Sequence, residues 1–149
     1  MVNEIHDLLD DDPTLKAMEG IKIDKYVDES TLRHGGQSPY KRHIVISLDS
    51  SGREEWNYGG LACQKPVNVK IQTLCRLRDD EYSNVREMAE NLRSRIAELL
   101  FDADLSTDDD SNATGWLWHQ IVTDSNIDAP TKEISYHTFI VECWISIWT

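Results

Sequence analysis

Asp102, Asp104, Ser106 and Asp108 stand at alternate positions of "DADLSTDDDSNATGW", residues 102–116. Those are positions 1, 3, 5 and 7 of a calcium loop, where oxygen side chains would close on a hard cation. The pattern fails at the positions that shape such a loop. Position 6 needs a glycine for its sharp turn and holds Thr107; position 12 needs a bidentate glutamate and holds Ala113. The segment reads as an acidic connector, and no metal is assigned to it. Five histidines invite a search for zinc, and none has C-x-x-C, H-x-x-x-H or H-E-x-x-H spacing. One pair remains of interest. A hairpin centred near Asp128 would set His119 opposite His137, with no third ligand evident. "HGG" at 34–36 has no nucleophile motif beside it. Glu54 and Glu55 are adjacent, so on extended backbone they point apart. G-x-S-x-G, P-loop and G-x-G-x-x-G patterns are absent. The residues therefore point to no catalytic site and no cofactor.

Composition narrows the remaining classes. The chain has 149 residues and a net charge of −12, from 15 Lys and Arg against 27 Asp and Glu. The length suits one domain, 1–149. The charge repels phosphates, which disfavours nucleic-acid binding through a basic face, and it repels anionic membrane surfaces. No apolar run reaches the length of a membrane span, and "MVNEIHDLLDDDP" is too acidic for a targeting peptide. Cys63, Cys75 and Cys143 are odd in number and far apart, which suits reduced thiols in an intracellular compartment. The Asp clusters at 10–12, 79–80 and 108–110 also suit a surface kept hydrated in high salt.

The elements follow from periodicity. "NEIHDLLD" at 3–10 places Ile5, Leu8 and Leu9 at helical spacing, with Pro13 expected to stop the helix. "IKIDKYV" at 21–27 and "HIVISLD" at 43–49 read as strands around a glycine-containing loop at 30–40. Residues 50–66 show no period and read as a long connection carrying Trp56 and Tyr58. "VNVKIQTLCRLR" at 67–78 alternates cleanly except at Leu74. In 82–101, Val85, Met88, Ala89, Leu92, Ile96, Leu99 and Leu100 form one apolar stripe, with Asp79, Asp80 or Ser83 as candidate caps. Strands at 115–123 and 133–149 close the chain. The fold class is α+β: an antiparallel or mixed sheet, one long amphipathic helix across one face, and a short N-terminal helix.

Surplus aromatics mark either a candidate interface or a face covered within the monomer by a second layer, such as the N-terminal helix. Trp56 and Tyr58 fall in the long connection. Trp116 and Trp118 share a strand face, opposite that of His119. Trp144 and Trp148 lie on the second face of the last strand. Such residues are enriched where proteins meet.

This layout resembles the tail terminator, or tail completion, proteins of long-tailed viruses of bacteria and archaea. A short helix like "VNEIHDLLDDDPTL" is followed by strands like "IKIDKYV" and "HIVISLD" and a long loop. "VNVKIQTLCRLRDDEYSNVREMAENLRSRIAELL" then runs from a central strand into an amphipathic helix, and two strands finish the chain. The resemblance covers nearly the whole chain and lies in element order, with no diagnostic motif. It implies a virion structural protein with no catalytic residues, assembled in the host cytoplasm. It implies a homo-oligomeric ring, commonly of six subunits, at the head-proximal end of the tail tube. The ring would bind the tail tube protein below and a neck or head-completion protein above, and genome DNA would cross its lumen without specific binding. Asp102, Asp104, Asp108, Asp109 and Asp110 would then be a repulsive lumen or rim. Head-completion and neck proteins are built alike and are the first alternative. A small metal-binding protein or enzyme using His119, His137 or the acidic segment is the second.

Overall fold

The computed structural model describes residues 2–25, 40–49, 57–59, 62–77, 84–103 and 116–148, with backbone alone for 57–59, 62–66, 116–118 and 144–148. The chain opens with α1 (Val2–Asp10), whose buried Val2, Ile5 and Leu9 fall at helical spacing. Pro13 does not end α1. It begins a second helical turn, α2 (Pro13–Lys16), because the Asp12 side chain accepts the Leu15 amide at 2.9 Å. An aspartate cap followed by proline at the first helical position is a start signal. Gly20, at φ +67°, then turns the chain into β1 (Ile21–Lys25). A Cβ there would lie 3.0 Å from Lys41 Cβ.

β2 (Arg42–Leu48) runs parallel to β1. β3 (Asn57–Gly59) and β4 (Ala62–Arg76) are antiparallel neighbours, as are β2 and β4. After the helix α3 (Val85–Asp102) come β5 (Trp116–Asp124) and β6 (Ile134–Trp148). The sheet order is β1-β2-β4-β6-β5, with β3 paired to the beginning of β4. The sheet is therefore mixed, and it carries one long helix and a short N-terminal helix, as expected.

Two expectations change in detail. Residues 50–66 contain β3 and the first part of β4, so the strand expected at 67–78 begins at Ala62. Pro66 within it conceals the strand, since proline cannot donate to a ladder. The ladder to β6 nevertheless continues through Pro66↔Trp144. On the other flank β2 ends at Val69 and β3 at Gln64, so Pro66 falls between them. The helix cap also differs. Asn84 is extended, at φ −159° and ψ 165°, and its side chain accepts the Glu87 amide at 2.8 Å. Asp79, Asp80 and Ser83 lie outside the described residues.

One core holds the layers together. Val85, Met88, Ala89, Leu92, Ile96 and Leu100 of α3 are buried, and Leu99 is half-buried. They meet Ile44 and Ile46 of β2, Val69, Ile71 and Cys75 of β4, and Phe139, Val141 and Cys143 of β6, with α1 and Leu15 beside them. Each large aliphatic or aromatic side chain so buried contributes about 1.5–3 kcal/mol. Leu74, which broke the alternation, packs with Val45, Ile134 and Tyr136 as a second, smaller cluster. No helix among the described residues is long and apolar enough to cross a membrane.

A charged clamp closes this assembly. Arg95 of α3 donates from Nε to Asp12 Oδ2 at 3.0 Å and from Nη2 to Oδ1 at 2.5 Å. The Arg95 hydrogen bonds hold the Asp12 carboxyl below the usual carboxylate range, against the effect of burial. Asp12→Ala removes the α2 cap and the pair together, and should cost roughly 2 kcal/mol, discounted because Arg95 is partly solvated. The contribution is present above the ordinary carboxylate value of 3.8 and is lost as pH falls through the lower folded value. Urea denaturation of both proteins at neutral and acid pH measures the difference, which should shrink in acid.

Candidate assembly surface

β4 and β6 pair along their full 15-residue lengths, from Ala62↔Trp148 to Arg76↔Ile134. Val67 and His119 flank the buried Cys143 in one row of the sheet. There the last turn of α3 is met by His119, whose Nε2–H donates to the Leu100 carbonyl at 2.8 Å. That carbonyl is one of the acceptors a helix leaves open at its C-terminus. The sheet continues past this row as β3, the start of β5, and the ends of the β4–β6 pair.

Five of the six candidate aromatics lie on this extension. Tyr58 stands opposite Cys63, Trp148 opposite Ala62, and Trp144 between Pro66 and Trp118. Trp56 lies outside the described residues. Trp116 and Trp118, expected to share a strand face, have a register shift between them. The shift sets Trp116 opposite Ile145 and Trp118 opposite Trp144, which are consecutive positions of β6. An extra residue in one strand reverses the alternation beyond it. A second shift falls between Ile121 and Thr123. β5 is an edge strand with no partner on its outer side among the described residues. Interrupted pairing is one way an edge resists indiscriminate strand addition.

Of the acidic candidates, Asp102 is the exposed last residue of α3. Asp104, Asp108, Asp109 and Asp110 lie outside the described residues. The last turn of α3 has no basic residue. A carboxylate is unfavourable there, at the negative end of the helix dipole, and the His119 donor partly offsets it.

The expected pairing of His119 with His137 is also corrected. Asp128 bridges to Tyr136, so the turn falls later than Asp128, and His119 stands opposite Cys143. Six residues of β6 separate that row from His137, about 20 Å of strand. His137 is committed elsewhere: its Nε2–H donates to Asp124 Oδ1 at 2.7 Å. Arg93 of α3 grips the same carboxylate, from Nε to Oδ1 at 2.9 Å and from Nη2 to Oδ2 at 3.0 Å. Burial alone would raise the Asp124 carboxyl; the Arg93 and His137 hydrogen bonds override it and leave it below the usual range. Neither Arg93 nor Asp124 carries a signal in the sequence, since one is off the stripe and the other ends a strand. Among the described residues no three His, Cys, Asp or Glu side chains converge to hold a metal. Cys75 and Cys143 are unbridged, and burial pushes both thiols up to about 12, far from nucleophilic thiolates.

The His119 contact is testable on its own. His119→Phe keeps a ring and removes the donor to Leu100; it should cost about 1 kcal/mol in urea denaturation with an unchanged circular dichroism spectrum.

No protein-family model matches the chain, and no curated protein does. Among solved structures, the chain is similar to one in the virion of a native gene transfer agent (GTA) particle. The identity is 12%, the TM-score is 0.62, and the match covers 99% of this chain and 95% of that one. At that identity the likeness is one of fold: this chain folds as a component of the GTA virion does.

Proposed function

We propose that this chain is a virion structural protein, a tail terminator that forms a ring of six subunits on the head-proximal end of a tail tube. In this reading the ring ends tube growth and joins the tail to the head connector, and the chain acts by assembly with no catalytic step. The observation that carries the reading is the aromatic extension of the sheet. Five large aromatics lie at one end of the sheet, on β3, the start of β5 and the end of β6. A cyclic ring is built from heterologous contacts, which need two different surfaces on each subunit. β1 and β5, the outer strands at opposite sides of the sheet among the described residues, supply two. The element order seen in the sequence and the fold shared with a GTA virion chain support the same reading.

Mass measurement and electron microscopy of the chain, alone and with tail tube subunits, test the proposal. A ring in either condition is expected; a strict monomer in both overturns it. Trp118→Ser with Trp144→Ser should abolish the ring and leave the circular dichroism spectrum unchanged. The alternative, a head-completion or neck protein, is decided by location: a label on this chain would then appear on the head side of the joint, away from the tube end.

The acidic segment enters this reading as a repulsive rim or lumen that lets DNA pass, because few phosphates are neutralised by it. Asp108→Asn, Asp109→Asn and Asp110→Asn together should leave stability within about 0.5 kcal/mol of the parent. Unfolding of that triple variant in a thermal melt would make the segment a binding site instead.

A further inference from the structure

The His137 row joins three elements through one polar chain. His137 is on β6 with its side chain 0% exposed, Asp124 ends β5 with its side chain 34% exposed, and Arg93 comes from α3. The imidazole, the carboxylate and the guanidinium are in direct sequence, and Arg93 also donates to Glu90 at 3.3 Å. With Asp124 ionised, His137 must carry its proton on Nε2, which leaves Nδ1 bare. That nitrogen is buried and has no hydrogen-bond partner.

Among the described residues the other neighbours offer no further anion. Thr73 of β4 stands opposite His137, and the Phe139 ring meets the imidazole edge-on with centroids 4.4 Å apart. The adjacent row holds the buried Arg42 of β2 and Cys75, whose thiol stays neutral. Among the described residues the charged groups around His137 are Asp124 from β5, Arg93 with Glu90 behind it from α3, and Arg42 one row away; a Ser125 backbone hydrogen bond favours the protonated imidazole, against the effect of burial. Asp124 already has its charge matched by a bidentate arginine. A second cation at Nδ1 would be buried beside it. Local opening to water relieves that cost, and Asp124, a third exposed, lies on the path.

We propose that the His137–Asp124–Arg93 chain is an acid-released latch: neutral His137 fastens the middle of α3 to the β5–β6 hairpin, and its protonation lets that contact open. Burial holds the imidazole below the usual histidine range, in keeping with this. The sign follows from linkage. The open state binds more protons, so the stabilisation is complete above the ordinary value of 6.5 and is lost as pH falls below it. This device is independent of the assembly reading.

Amide hydrogen exchange on the full chain tests it, with rates corrected for intrinsic pH dependence. From about pH 7.5 to about pH 5, amides near Arg93 and Ile121–Asp124 should exchange about tenfold faster relative to those of Ile44 and Ile71. His137→Gln retains a donor to Asp124 and cannot titrate, so it should lose that selective response. An equal response in His137→Gln, or a uniform rise across the sheet, overturns the latch. If the variant does not fold, the NMR titration of His137 in the parent chain decides. A midpoint below 6.5 that tracks the local exchange supports the latch, and one at or above 6.5 overturns it.

Discussion

The antiparallel pairing of β4 with β6 is the constraint on which the rest depends. It sets fifteen consecutive rows in register, and each row decides what its edge strands can hold. Odd-numbered positions of both strands supply the buried row under α3, so Thr73, His137 and Asp124 are brought within one stretch by the same ladder that buries Ile71 and Phe139. A slip of one residue would turn Phe139, Val141 and Cys143 out of the core. The rows past Cys143 carry Trp144 and Trp148.

Much of this architecture is written in local pattern. The α3 stripe and the alternation of β4 from Val67 onward are periodic signals of buried faces, and the structure uses nearly every residue they mark. What stays hidden has physical causes. β3 is three residues long, too short for a period to show, and Pro66 disguises the first half of β4. The two shifts in β5 change which residues face each other by one position, a change carried by backbone pairing and invisible in residue type. The histidines were legible as polar residues on strands. Their partners, Leu100 and Asp124, are 19 and 13 residues away, and only the fold brings them near.

Charge is distributed unevenly in a way composition does not reveal. Arg93 and Arg95 turn inward to Asp124 and Asp12, and Arg42 is buried with its Nη1 donating to the Glu19 carbonyl at 2.5 Å. Arg42, Arg93 and Arg95 are thus spent on joints between elements. Within an excess of carboxylates, these joints give α3 two ionic attachments two residues apart, on opposite sides of the helix, one toward the N-terminal helices and one toward the last hairpin. Bidentate arginine geometry makes such attachments directional as well as attractive.

The sheet order also governs how the chain comes together in time. β4 pairs on one flank with β2 and β3, which precede it, and on the other with β6, which is made after every other strand. During synthesis the central strand therefore waits with one flank open while α3 and β5 emerge. Contacts of that sequence separation slow folding, and an unfilled strand edge is a template for the wrong partner. Asn68, Lys70 and Gln72, the polar residues on the second face of β4, sit along the strand that must wait, and polar side chains on such a strand are of the kind that oppose aggregation.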